Sequence, residues 1–134
     1  MRHIMFALLL GSPLLMLSPA ANANEGGGGG GKDSQYLPLE SVLVNLEGKR
    51  HYLRADIQLL VDSAEHAEKM KVHMPAIRHG LIMLFSGRNP EQISAIDERE
   101  KLRQNAKEEV KKVLDRYGAG TGLEDLFFTD FMIQ

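Results

Sequence analysis

The sequence predicts an α+β domain in two layers, an antiparallel-type sheet with helices packed on one face, in the order β-β-α-α-β. Three observations predict it. Apolar residues alternate at every second position up to Val61, they recur at spacings of three and four between Ala64 and Tyr117, and alternation returns from Leu126 to Gln134. Strands that sit at the two ends of a domain and helices that sit between them place the helices on one side of a shared sheet.

The chain has 134 residues, Lys+Arg 16 against Asp+Glu 18, a net charge of -2 and no cysteine. That balance generates no field that favours nucleic acid or an acidic membrane surface, so no nucleic-acid partner is expected. Without cysteine there is no disulfide, thiolate metal site or Cys nucleophile, and stability must come from a packed core.

Residues 1–23 read as an address: Arg2 and His3 form a positive head, Ile4 to Leu17 an apolar run, and Ala21-Asn22-Ala23 a small-x-small cleavage pattern. Gly11, Ser12 and Pro13 interrupt the run and favour a signal peptide cut after Ala23. Left uncut, Ile4 to Ala23 approaches the ~20 residues of a membrane-spanning helix and would be an N-terminal anchor. Residues 24–35 form a Gly-rich flexible linker; the six glycines Gly26 to Gly31 reach only about 13 Å as a flexible coil. Residues 36–134 form the domain, a common size for one core.

Within the domain, Tyr36 to Asp62 reads as two strands around a polar reversal at Glu47-Gly48-Lys49. The first arm, Ser41 to Leu46, is apolar at successive positions and fits a strand covered on both faces. In the second, Leu53, Ala55, Ile57, Leu59 and Val61 share a face opposite Arg54, Asp56 and Gln58. Asp62 and Glu65 have capping-box-like spacing and start a helix. Its stripe is Ala64, Ala67, Met70, Met74, Ile77, Leu81 and Leu84, with Pro75 inside it, which demands a kink or two helices meeting near His73 to Pro75. Gly87 to Pro90 ends the element.

A second helix runs from about Asp97 to Tyr117, with Leu102, Ala106, Val110, Val113 and Tyr117 on its apolar side. Asp97, Glu98 and Glu100 suit its start, Lys111, Lys112 and Arg116 its finish, Glu108 and Lys112 make a four-residue pair, and Gly118 is a left-handed cap. The last nine residues alternate as a strand that returns to the sheet. Strict alternation puts Phe127, Thr129, Phe131 and Ile133 on one face and Leu126, Phe128, Asp130, Met132 and Gln134 on the other, leaving Phe128 and Met132 on a partly bare surface.

Chemistry-bearing patterns are few. His66, Met70, His73 and Met74 share a helix face at i, i+4, i+7 and i+8, the soft ligand set that suits Cu(I) in an exported protein. The same methionines also belong to the core stripe, where Met is a common gap-filler. Ser41, Ser63, Ser86 and Ser94 lack a nucleophile elbow, and no H-E-x-x-H occurs. Gly118 to Gly122 follows a helix and precedes a strand, the reverse of a dinucleotide loop. Arg78 beside Pro75 can fork onto a carboxylate. No catalytic residue and no cofactor are expected.

The export segment, Leu43-Val44-Asn45-Leu46, Met74 to Ile82 (MPAIRHGLI), Glu100 to Val110 (EKLRQNAKEEV) and the ending Phe127 to Gln134 (FFTDFMIQ) together resemble the FliL family of flagellar basal-body-associated proteins. Asn45, Leu46, Pro75, Ile77, Arg78, Leu102, Phe128, Thr129, Asp130, Phe131 and Gln134 carry that likeness. Asp97 to Glu100 (DERE) stands where the family tends to carry a Gly-Lys pair, the mark of a divergent paralogue. The resemblance implies a stomatin-like periplasmic domain, non-catalytic, that contacts the flagellar stator MotA/MotB, forms oligomers and supports torque, swimming or swarming. It implies a place at the inner membrane and basal body if the anchor is retained, and the periplasm if the signal is cut. Pro75, Arg78, Phe128 and Met132 are the contact candidates on that reading.

Overall fold

The computed structural model describes residues 33–134. The export segment and the six-glycine spacer lie outside the described residues. Among those described, no helix is long and apolar enough to cross a membrane.

The sheet is built on β3 (Tyr52–Val61), with β4 (Leu123–Ile133) antiparallel along one side. Along the other lie β1 (Gln35–Pro38) and β2 (Val42–Asn45), end to end, both antiparallel to it. The α+β class, the antiparallel pairing and the return of the last strand are as the sequence predicts. The first arm differs: it is two strands rather than one, and it begins at Gln35, inside the expected linker. Pro38 stands opposite Gln58 and Val42 opposite Ala55, so Leu39, Glu40 and Ser41 face only Asp56 and Ile57. The extra residue is a bulge, and its reason is parity. Leu37 and Leu39 are odd-numbered core residues and Val42, Val44 and Leu46 even-numbered ones. Only an inserted residue lets both sets face inward. Leu43 points out at 61% exposure, so this arm is covered on one face, not two.

β4 repeats the device. Its register shifts between Asp56 and Ile57 of β3, where Asp130 and Phe128 are the successive partners and Thr129 is left over. Ahead of the bulge Leu126 and Phe128 face the core; beyond it Phe131 and Ile133 do. Phe128 therefore leaves the outer face to which strict alternation assigns it. Its ring meets Phe85 edge-on at 5.9 Å and Phe131 at 5.2 Å. A second shift, between Leu60 and Val61, brings Leu123 onto the core side as well.

The reversal between β2 and β3 is a single 3-10 turn, Glu47–Lys49, whose Gly48 takes φ 77°. Helix α1 (Ala64–Lys71) starts one residue later than a capping box from Asp62 requires: Ser63 Oγ accepts the His66 amide at 3.2 Å. Asp62 stays tied to the chain just ahead of β4, because its own amide donates to the Gly122 carbonyl at 2.9 Å. Its carboxylate goes to His66 Nδ1 at 2.6 Å, and Glu65 pairs with Lys69 instead of reaching back to an amide. Pro75 ends the ambiguity about a kink, since α2 (Met74–Phe85) is a separate helix with that proline in its first turn, where no amide is needed.

Between Gly87 and Ile96 the chain forms a short helix absent from the sequence reading, α3 (Pro90–Ser94). Asn89 Oδ1 accepts the Gln92 amide at 3.0 Å and Pro90 opens it. Its Ile93 is buried. Then α4 (Ile96–Arg116) buries Leu102, Ala106, Val110 and Val113 as expected, and Leu114 besides. Tyr117, placed at the end of that stripe, is instead 55% exposed and stacks flat on His73 at 4.5 Å. At this end Lys111 pairs with Asp115 at 2.9 Å, not Glu108 with Lys112, and Gly118 caps the helix at φ 67°. Gly80 lets α2 approach α4 closely; a Cβ there would stand 3.1 Å from Val113.

Arg103 fastens β4 to α4. Its guanidinium takes both Glu100 oxygens, at 2.9 and 2.6 Å, Asp125 at 2.9 Å and the Leu126 carbonyl at 2.7 Å. The Arg103 and Gln104 hydrogen bonds lower the Glu100 carboxyl from 4.5 to about 2. Burial pushes Asp125 up, but the Leu126 amide and Arg103 outweigh it and the net shift is down.

Deleting Thr129 brings Phe128 and Asp130 together opposite Ile57 and Asp56, so plain alternation then keeps Leu126, Phe128, Phe131 and Ile133 on the core face. Urea unfolding of that variant is expected to show a loss of about 1 kcal/mol or less, whereas deleting Phe127, which makes Leu126 and Phe128 neighbours and turns one of them to solvent, should cost about 1.5–3 kcal/mol more. Equal stabilities for the two deletions would refute the parity argument. The Arg103 cluster sets an acid signature. A carboxylate with a depressed folded pKa contributes stability present above its unfolded value and lost as pH falls through the folded one. The stability gap between the parent and Arg103→Met should thus narrow as pH drops from 4.5 towards about 2, read as urea midpoints at pH 7, 4 and 2.5. A constant gap would dissociate Arg103 from Glu100 and Asp125.

Candidate interaction site

The four residues with soft-ligand spacing are not brought into one site, because the helix that would align them stops. Met70 is fully buried, His66 is bonded to Asp62, His73 stacks on Tyr117 past the end of α1, and Met74 packs against the core from α2. Among the described residues no group of three or more His, Asp or Glu side chains is placed to hold a metal ion. The hydrogen bond from His66 is the main reason the Asp62 carboxyl lies below its ordinary value.

What the fold does expose is the sheet's outer face. Opposite register pairs place Leu43 beside Arg54, and Arg54 beside Met132, with Tyr52 and Asn45 at the same end. Met132 is 37% exposed and Tyr52 39%, so with Leu43 three large side chains stand open around Arg54 at this end. At the far end Tyr36 and Phe127 lie 6.2 Å apart. Between them runs a polar belt at the level of the two bulges. Ser41 Oγ donates to Asp56 Oδ1 at 2.5 Å, Arg54 reaches Asp56 Oδ2 at 3.3 Å, Thr129 Oγ1 donates to the Asp56 carbonyl at 3.3 Å, and Asp130 stands directly across from Asp56.

The β1–β2 edge of the sheet is guarded. On the β1–β2 side Pro38 offers no amide, the Ser41 carbonyl accepts from Arg78 Nη2 at 3.3 Å, and the Asn45 carbonyl accepts the Gly87 amide at 2.9 Å. On the β4 side Arg103 covers the Leu126 carbonyl. Such blocking disfavours the addition of a strand to the β1–β2 edge.

Where the first arm bulges, α2 passes beside it and a groove of about 530 Å³ opens, lined by Pro38, Glu40, Met74, Pro75, Arg78, His79 and Ile82. Pro75 sets its corner. Arg78 crosses from α2 to the bulge and donates from Nη1 to Glu40 Oε2 at 2.5 Å. Its Nε is sealed from solvent with no acceptor among the described residues.

Several other residues singled out in the sequence hold the fold together. Leu46, Ile77 and Leu102 are core, and Gln134 closes the sheet through paired backbone bonds with Tyr52 at 2.8 and 3.0 Å. Its side chain reaches the Tyr52 hydroxyl and, from Nε2, Met132 Sδ at 2.7 Å. Of the four contact candidates the structure joins Pro75 and Arg78 in one groove, leaves Met132 on the outer face and buries much of Phe128. Sequence reasoning missed Pro38, Glu40 and Ile82 as groove lining; the odd-to-even switch of the core residues across Leu39 to Val42 was the readable sign that the chain bulges there.

Compared with known proteins, residues 36–134 match the family model for flagellar basal body-associated protein FliL. No curated protein matches the chain.

The face assignment has a direct test by charge insertion. Leu43→Asp and Met132→Asp should keep the thermal midpoint within a few degrees, the range of a surface substitution. Phe128→Asp places a carboxylate against Phe85 and Phe131 and should leave the protein unfolded or lower its midpoint by more than about 10 °C. A benign Phe128→Asp would return that ring to the outer surface.

Proposed function

The chain belongs to the FliL family of flagellar basal body-associated proteins, and from that premise we propose that it is a non-catalytic accessory protein of the flagellar motor. It works in the periplasm, contacts the stator MotA/MotB, associates with copies of itself and supports torque in swimming or swarming. The stomatin-like organisation and the export route belong to the same proposal. The observation that carries it is the group of exposed large side chains at one end of the outer sheet face, Leu43, Tyr52 and Met132. Large side chains held out of the core by the pleat, on a sheet whose β1–β2 edge is blocked, suit a contact made face-on by side chains.

The absence of cysteine makes the test clean, because each introduced thiol is the one reactive group in the chain. Met132→Cys and Leu43→Cys should cross-link in cells to a cysteine-bearing stator or to a second copy, and Lys112→Cys, on the exposed side of α4, should not. In a strain lacking the gene, the Leu43→Asp/Met132→Asp pair should fail to restore swarming where the parent chain does. Full restoration by that folded double variant, with no cross-link from either thiol, would remove the face from the mechanism.

A further inference from the structure

We propose that the groove between α2 and the bulged first arm is a binding site for a peptide segment that presents a carboxylate side chain beside an aliphatic one, and that Glu40 is a built-in competitor for it. This rests on the reading of the chain as a contact-forming module and names the chemistry one of its contacts would have.

The groove has the two halves such a segment needs. Pro38, Met74, Pro75 and Ile82 supply an apolar floor. Arg78 supplies a planar guanidinium, the side chain best matched to a carboxylate because its donors lie in a fork. Met74 and Ile82 are already half-packed against the core, so the floor is rigid. Charge complementarity selects the occupant: the lining residues that can carry positive charge are Arg78 and His79, and the one that carries negative charge is Glu40.

Glu40 shows what the guanidinium is built to hold. Its carboxylate lies 2.5 Å from Arg78 Nη1, yet the side chain is 81% exposed. An ion pair so open to water contributes little and exchanges readily. Arg78 itself is 36% exposed and is held by the Ser41 carbonyl at 3.3 Å, so it stays in place when Glu40 swings out. A carboxylate delivered on a peptide whose aliphatic neighbour fills the floor displaces Glu40, because it adds apolar burial that Glu40 cannot make.

The probe is a fluorescein-labelled peptide amide, acetyl-Gly-Leu-Glu-Leu-Gly, with its Gln isostere as control, titrated with the purified full chain and read by anisotropy. The Glu peptide is expected to bind about tenfold tighter than the Gln peptide, the usual advantage of a charge-assisted pair. Glu40→Gln should tighten the Glu peptide several-fold by removing the competitor, and Arg78→Gln should abolish the difference between the peptides. Arg78→Lys, which keeps the charge and loses the fork, should fall between, and it decides the matter with Glu40→Gln should Arg78→Gln not fold.

Equal affinity for the two peptides, or weaker binding by Glu40→Gln, overturns the proposal. So does displacement of the Glu peptide by sodium phosphate at matching concentration, which would make the groove a general anion site. If the peptides are not distinguished while the Met132 and Leu43 thiols still cross-link, the carboxylate site alone fails. If they are distinguished while those cross-links are absent, the motor reading fails and the site stands.

Discussion

Everything in this domain is referred to the uninterrupted alternation of β3. Leu53, Ala55, Ile57, Leu59 and Val61 are each essentially removed from solvent, and the ten-residue strand contains no irregularity of its own. Both neighbouring strands adjust to it with an extra residue at the step from Asp56 to Ile57, and β4 shifts once more between Leu60 and Val61. Two bulges at one level bend the sheet along a line, and that line is where side chains gather to satisfy the polar groups a bulge leaves over. Ser41 and Thr129, the hydroxyl residues nearest the break on each side, both turn to Asp56. The Thr-Asp step near the end of the chain thus supplies part of the hydrogen bonding that holds the bulge.

The same bulges decide what is available for contact. On the β1–β2 side the break lifts Glu40 away from the ladder and frees the space that α2 borders, which produces the groove. On the β4 side the break reverses the faces of the aromatic residues, sending Phe128 inward to Phe85 and leaving Met132 outside. A β4 without a bulge would show an aromatic ring where this one shows a thioether. Met is the softer contact residue, able to fit differing neighbours, whereas an exposed Phe ring would add a large apolar patch beside an open strand.

Much of this was legible in the sequence because period is a property of the chain itself. The alternation of the second arm, the stripe from Ala67 to Leu81, the break at Pro75 and the left-handed Gly118 all follow from spacing and backbone chemistry, and each holds. What failed was the assumption that a period persists. Leu37 to Val44 and Leu126 to Ile133 each change phase midway, and a short window reads the change as a strand apolar on both sides or as a face with the wrong ring on it. The cap of α1 failed for a different reason: Asp62 and Ser63 are equally good caps in sequence, and the choice is made by a hydrogen bond to Gly122, a residue sixty positions along. The Arg78–Glu40 pairing is equally non-local, and no pattern in either segment announces it.

A contact-forming domain has to keep its exposed apolar residues from costing it the fold, and the distribution of polar anchors shows how this one does so. Arg103 and Arg78 both sit on helices, both cross to the sheet, and both take a backbone carbonyl together with a carboxylate. They differ in burial: Arg103 is 18% exposed and Arg78 twice that, with a partner in open water. The first arrangement fixes β4, the strand whose loss would open the core. The second leaves a guanidinium that is positioned but only loosely occupied. Since the strength of such a pair falls as water reaches it, the gradient from Arg103 to Arg78 separates the clasp that maintains the structure from the one that can change partner.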